Sequence, residues 1–253
     1  RAVGGDQPAF RRPIGLPTEQ PHPATRDLSS LACGDLPRAV SLLERVDLDA
    51  LAALERYAPH VDRLAACVAE TLDAGRRIYL CGCGATGRLS LSLEFLWREK
   101  HGADDRVRSF MAGGDVALVH ALPGFEDHPA YGARHLEEMG FANGDLLIAC
   151  TEGGETSYVI GATERAATLS SNVPWVLYCN PDAILSRHVE RFRRVKENPG
   201  IRKLCLDTGP MALTGSTRMQ ASTILMMAVG LALLDPDQPA ALSIAAYRTA
   251  LAG

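Results

Sequence analysis

The sequence predicts an α/β protein, a parallel sheet with helices over both faces. Three observations carry this prediction. Short apolar runs of strand length alternate with longer segments whose apolar residues recur at helical spacing. Two of the runs, "IYLCG" and "LLIAC", end in glycine-rich turns that lead straight into helical segments. The 253 residues, 47% of them hydrophobic, suffice for the core of one large α/β domain or two small ones. Strands that alternate with helices are joined by crossovers, and crossovers cover both faces of a parallel sheet.

Residues 1–30 are rich in Pro, Gly and charge and read as an arm or a disordered leader. The division adopted is a partly irregular arm over 1–34 and one domain over 35–253 that begins with helices. Over residues 35–74, "RAVSLLERV" and "HVDRLAACVAETLDAG" show helical periodicity, with Gly75 as the stop. "RRIYLCGC" reads as the first strand and "RLSLSLEFLWREK" as the helix after it. "VRSFMAGG" is a second strand, followed by helices "DVALVHAL" and "HPAYGARHLEEMG". "DLLIACTEGG" is a third strand and loop, and "TSYVIGATERAATL" its helix. "VPWVLYCN" and "RKLCLDTG" supply two more strands, and a long helix from about Ser216 finishes the chain.

Composition narrows the functional classes. The formal net charge is -4 and the arginines are scattered rather than striped, so no nucleic-acid face is expected. The longest apolar stretch, "TILMMAVGLALL", is too short to cross a bilayer and reads as a buried helix. No signal peptide is recognised. Seven cysteines, mostly in apolar runs, predict free buried thiols in a reducing cytoplasm. Opening on Arg1 and closing on the helical pattern "AAYRTALAG", the sequence reads as a fragment or a partly ordered piece.

The stretch "GCGATGRLSLSLEF" carries the most chemistry. Gly82, Gly84 and Gly87 have the spacing G-x-G-x-x-G. A strand-to-helix turn of this kind aims free N–H groups, backed by the helix dipole, at an anion. A dinucleotide, a phosphorylated sugar or no ligand at all would each be compatible with the glycines. The dinucleotide reading wants an acidic residue at the end of the second strand, and Asp104 and Asp105 precede that strand instead. No lysine follows the loop as a nucleoside triphosphate site requires. The third strand repeats the plan: apolar strand, glycine turn, hydroxyl residue, helix. Both turns fall at strand carboxyl ends, where open α/β sheets bind ligands near a topological switch point.

Six motifs in order resemble the sugar-isomerase (SIS) domain family, in particular N-acetylmuramic acid 6-phosphate etherases and glucokinase regulatory protein. "IYLCGCGATGRLS" resembles the G-x-G-[TS]-S-G-R-[LM] loop, and "TEQPHPAT" the N-terminal arm of the etherases. "MAGGDVALVHALPGFEDHPAYGARHL", "SYVIGATERA", "CNPDAIL" and "LTGSTRMQAST" resemble the later motifs. The segment "HVERFRRVKENPGIRKLCLDTGP" is similar to the regulatory-protein branch. The resemblance implies a three-layer domain with a flavodoxin-like sheet of five parallel strands. It also implies a sugar phosphate bound at the strand carboxyl ends and pairing with a second SIS domain, as a homodimer or within one chain. Neither a cofactor nor a metal is implied.

Site residues follow from the same motifs. The first loop offers Gly84, Ala85, Thr86, Gly87 and Arg88, with Thr86 as hydroxyl donor. The second offers Gly153, Gly154 and Thr156, and the last motif offers Ser216 and Thr217 at a helix start, as anion donors or simple caps. In the etherases one glutamate helps protonate the leaving group and another deprotonates carbon, a division of labour that two carboxyls can serve. The second of these falls on Glu126, which in the regulatory protein's pattern contacts the sugar phosphate. The first falls on Leu96. Glu94 lies two positions early, about 200° around a helix, and stands i,i+4 to Arg98 as a surface pair. A shifted helix start would restore it. Further departures are Gly153 for serine, Glu155 for arginine, Gln220 for lysine and His22 for asparagine. Glu152 and Glu155 should repel a phosphate unless they turn away. Cys81 and Cys83 lack the matching ligands a metal needs. Two functions lead, an etherase-like carbon–oxygen lyase or a sensor that binds sugar phosphate without turnover, with a nicotinamide-dependent oxidoreductase a distant third.

Overall fold

The computed structural model describes residues 15–253 except 121 and 123. Residues 1–14 of the expected arm lie outside the described residues. Helices α1 (Leu28–Gly34), α2 (Leu36–Leu54) and α3 (Ala58–Asp73) come first. The parallel sheet and its crossovers follow: β1 (Ile78–Gly82), α4 (Gly84–His101), β2 (Val107–Met111), α5 (Val116–Val119), α6 (Pro129–Glu138), β3 (Leu146–Cys150), α7 (Ser157–Leu169) and β4 (Trp175–Tyr178). Then come α8 (Asp182–His188), α9 (Glu190–Glu197), β5 (Arg202–Cys205), α10 (Gln220–Leu234) and α11 (Ala240–Leu251).

All strand pairs are parallel, in the order β2-β1-β3-β4-β5. This is the flavodoxin-like order, and the chain direction across the sheet reverses between β1 and β3. Residues of β1 and β3 are buried throughout, because helices cover both faces, so these strands read as unbroken apolar runs. Ile78, Leu80, Ile148 and Leu177 face one core with residues of α2, α3, α4, α10 and α11. Tyr79, Cys81, Leu147 and Ala149 face the other with α6 and α7, and α8 and α9 extend that layer over Val176 and Tyr178.

Local chemistry sets the ends of several elements. Asp35 caps α2 by accepting from the Arg38 N–H at 3.1 Å, and Pro37 sits in its first turn. Gly75, at φ +69°, turns the chain out of α3 as expected.

The structure departs from the sequence reading in four places. Instead of one long helix from Ser216, α10 begins at Gln220, because residues 213–216 form a turn closed by Ser216 N–H to Leu213 O at 3.0 Å. It also ends at Leu234, since Pro236 removes a donor and disfavours helix at Asp235. α11 restarts after Pro239, with the Ala240 N–H held by Asp62 at 2.8 Å. The connection between β4 and β5 contains two short helices, and "DVALVHAL" is helical for only one turn. Part of the N-terminal arm is also a built element. Pro17–Glu19 and Pro23–Thr25 are 3-10 turns, and Leu16 and Thr18 are each 1% exposed.

Candidate functional site

A cavity of about 280 Å³ opens at the carboxyl edge of the sheet, between the loops that follow β1 and β3. Those loops flank the point where strand order reverses, the place an open α/β sheet offers a ligand. Gly84, Ala85, Thr86, Gly153, Thr156, Ser216, Thr217 and Glu126 all line it, so the structure brings together eight of the residues expected from sequence. Thr18, Glu19, Cys83, Glu152, Glu155, Gly215 and Arg218 complete the wall.

The first turn depends on its glycines for packing. A Cβ on Gly82 would lie 2.3 Å from the Thr86 carbonyl carbon, so only glycine lets β1 pass directly into α4. Thr86 and Cys83 then cap each other. The Thr86 hydroxyl accepts from the Cys83 N–H at 3.0 Å and donates to the Cys83 carbonyl at 2.9 Å, while the Cys83 sulfur accepts from the Thr86 N–H. Thr86 is therefore a capping residue, 2% exposed, and its hydroxyl is not the free donor expected.

Three other expected residues stand behind the wall. Gly87 is buried against Met111, where a Cβ would come within 2.6 Å. Arg88 turns away and donates to the carbonyls of Gly84 and Ala117, both at 3.1 Å. Gly154 packs beside Leu185.

Glu94 is outside the cavity altogether. One oxygen accepts from Arg98 at 2.6 Å, and the other accepts from the Ser109 N–H at 2.6 Å and from its hydroxyl. The expected ion pair is present, but the carboxylate is more than a surface partner. It ties α4 to the edge strand β2, and no shift of helix start restores it to the site. Asp104 and Asp105 pair with Arg106 and Arg108, each at 2.6 Å, before the amino end of β2. That is the end of the sheet opposite the cavity, so neither can hold a ribose there.

The second loop resolves the repulsion expected of its two acids. Glu152 accepts from the Thr217 hydroxyl at 2.7 Å and from the Ser222 hydroxyl. It anchors the 213–219 turn to the end of β3, and Thr217 serves that anchor instead of capping a helix. Glu155 pairs with Arg191 at 3.4 Å. Thr156 starts α7 in extended conformation and provides no side-chain cap, its hydroxyl lying 3.0 Å from that of Thr151. The first-turn N–H groups of α7 are thus left without a cap at a cavity wall, the usual seat of an anion. Gln220, where the family has lysine, is buried and bridges the Ala212 N–H and the Pro210 carbonyl, both at 3.0 Å.

Two further groups shape the electrostatics. Glu126 accepts from the Cys83 thiol at 2.9 Å. Burial, then the Glu126 contact, pushes that thiol up to about 12, so it stays protonated and acts as a donor. The Glu19 carboxyl is held above its usual range, first by burial and then by Glu155. Four carboxylates and one guanidinium, Arg218, therefore line one cavity with two helix starts. Among the described residues, no group of three or more His, Cys, Asp or Glu side chains is arranged to hold a metal.

Sequence reasoning did not select Thr18, Glu19, Cys83 or Arg218. Arg218 lies inside the motif "LTGSTRMQAST", so a signal was there. Thr18 and Glu19 open the arm motif "TEQPHPAT", so a signal was there too, but the composition of the arm pointed away from a core.

The chain is similar to several known proteins. The family described as the glucokinase regulatory protein N-terminal SIS domain matches residues 61–167. N-acetylmuramic acid 6-phosphate etherase of Klebsiella aerogenes is 29% identical over 209 residues, which is 82% of this chain and 65% of that protein. N-acetylmuramic acid 6-phosphate etherase 2 of Vibrio cholerae is 32% identical over 210 residues, 82% of this chain and 63% of that protein. The chain thus spans a little under two thirds of the length of either relative. Tagatose-6-phosphate ketose/aldose isomerase from Escherichia coli shares the fold at TM-score 0.51 and 15% identity, over 93% of this chain and 56% of that one. Phosphoheptose isomerase from Neisseria gonorrhoeae does so at TM-score 0.54 and 14% identity, over 80% and 98%. Residues 61–167 thus match a SIS domain, and the five parallel strands in this order, with the glycine turn after the first, share the fold of the phosphosugar isomerases.

Proposed function

We propose that this SIS domain binds a sugar phosphate in the cavity between the β1 and β3 loops. The observation that carries the reading is the uncapped start of α7, which opens on the same cavity as Arg218, Ser216 and Glu126. Backbone N–H groups and a guanidinium suit the phosphate, and carboxylates suit sugar hydroxyls. Thermal unfolding with glucose 6-phosphate, glucosamine 6-phosphate and N-acetylmuramic acid 6-phosphate tests it. A phosphorylated sugar should raise the midpoint, by about 2.7 kcal/mol of added stability at a hundredfold excess over Kd. The same sugars without phosphate should not. No shift with any of the three would sink the proposal.

The names of the curated relatives favour N-acetylmuramic acid 6-phosphate as the ligand and a carbon–oxygen lyase as the activity. Glu126 on the cavity wall supports that reading, as the match to one of the family's two glutamates. The match to the other, Leu96, is an exposed apolar residue outside the cavity, which favours binding without turnover. Release of D-lactate from N-acetylmuramic acid 6-phosphate identifies the lyase, and binding without release identifies the sensor.

Pairing with a second SIS domain belongs to the same proposal. Phe95 and Val119 are 61% and 77% exposed, and Leu96 and Leu118 are exposed beside them, an apolar surface suited to a partner. Light scattering of the purified chain checks it. No described helix is long and apolar enough to cross a membrane. A cytoplasmic setting is proposed on the same footing.

A further inference from the structure

Of the four carboxylates lining the cavity, three have side-chain partners. Glu152 is held by Thr217 and Ser222, Glu155 by Arg191, and Glu126 by Cys83. Glu19 has none among the described residues, and its Oε2 atom is buried without a hydrogen bond. Buried polar atoms in native proteins are nearly always paired, so an exception calls for a reason. Its position is not an accident of a loose segment. The preceding Thr18 is clamped on both sides of its Cα by Asn180, which accepts from the Thr18 N–H at 3.1 Å and donates to the Thr18 hydroxyl at 2.8 Å. Three residues later the arm is held again, by His22 N–H to Met211 O at 2.9 Å and Met211 N–H to Gln20 O at 3.1 Å. The fold thus fixes in the wall of a cavity an acid with no partner among the described residues, close enough to Glu155 for their charges to oppose each other. Oε2 is shut off from the cavity, so a ligand reaches this carboxylate through Oε1, which also has no partner among the described residues.

We propose that Glu19 is a ligand-contacting residue of this site, accepting a hydrogen bond from a hydroxyl of the bound sugar. The inference rests on the cavity being a sugar-phosphate site, and it assigns the arm a direct part in recognising the sugar rather than the phosphate. A carboxylate beside a phosphate repels it. The same carboxylate beside a sugar hydroxyl makes a charge-assisted hydrogen bond. Glu19 therefore selects for the polyol part of the ligand, and the helix starts and Arg218 hold the anion.

Two probes separate these roles: glucose 6-phosphate and inorganic phosphate, each titrated by calorimetry into wild type, Glu19→Gln and Glu19→Ala. Glu19→Ala should weaken glucose 6-phosphate about tenfold or more, the loss of one charge-assisted hydrogen bond. Inorganic phosphate should bind the variant as well as it binds wild type, or better, because a negative charge is gone. Glu19→Gln keeps the shape and an acceptor, and should fall between. Equal losses for both probes would mean that Glu19 only seats the arm, and would overturn the inference. Unchanged glucose 6-phosphate binding in both variants would overturn it too, with the site reading intact. No binding of either probe by wild type would remove the site reading and the inference together. A thermal midpoint at or above that of wild type shows that the variants fold, as expected when an unpaired buried carboxylate is removed.

Discussion

The Cys83 thiol donates to Oε2 of Glu126 at 2.9 Å, linking the turn after β1 to the acid that the family resemblance singles out. With the thiol pushed up to about 12, it remains a donor at every pH of interest and is a poor nucleophile. Cys83→Ala should weaken sugar-phosphate binding about two- to tenfold, the worth of one ordinary hydrogen bond. Cys83→Ser restores a donor and should recover most of the loss. Combined with Glu126→Gln, the alanine change should add little, because both act through one contact. Additive losses in that double-mutant cycle would separate the two residues. Iodoacetamide at pH 8 should label Cys83 far more slowly than the exposed Cys33.

Asn180 should prove the strongest lever on the arm. Its buried amide serves Thr18 twice and donates to the Gly153 carbonyl at 3.0 Å. Asn180→Ala leaves buried donors and acceptors unpaired, at a cost of about 1–3 kcal/mol each. Urea unfolding should show the loss. Trypsin should also cut after Arg26 much faster, since local opening of the arm becomes easier. Unchanged cleavage would mean that the arm is seated by other contacts.

Glu94→Ala should cost about 1.5–3 kcal/mol of stability, because Ser109 loses a charged acceptor at the sheet edge. Sugar-phosphate affinity should stay at the wild-type value. A large drop in affinity without loss of stability would return Glu94 to the functional site.

His135 gives a pH signature. Burial holds its imidazole below the usual 6.5, against the opposing pull of Glu138 and Asp115. The unfolded chain then binds a proton more readily than the folded one. Stability contributed by neutral His135 is present above about pH 6.5 and is lost as pH falls through and below that value. Denaturant midpoints measured between pH 7.5 and 5.5 should decline, and His135→Gln should flatten the decline. An equal slope in the variant would assign the effect to other groups.

Much of the fold was legible because its signals are local. The five strands are short apolar runs bounded by turns, and β1 and β3 read clearly because helices bury them on both sides. Helix starts were harder. Ser216 and Thr217 look like a start, but Glu152, more than sixty positions earlier, takes the Thr217 hydroxyl and moves the first turn to Gln220. The site was legible only where motif and geometry coincide. Gly84, Gly153 and Ser216 meet in the cavity, whereas the Thr86 hydroxyl is consumed by the cap it makes with Cys83. Thr18 and Glu19 escaped because the residues that seat them, Asn180 and Met211, are remote in sequence, and composition cannot register a contact at that distance.

The pairing of His22 with Met211 also fixes when the binding wall can exist during synthesis. The arm must wait for Met211, 189 positions later, near the carboxyl end of the sheet. At about 5–20 residues per second that delay is roughly 10–40 s. Throughout it Glu19 and its neighbours stay unseated, exposed to proteases and chaperones, while β1 and α4 already have partners nearby. The arm's side of the cavity wall is therefore completed late in the nascent chain, after most of the core has formed.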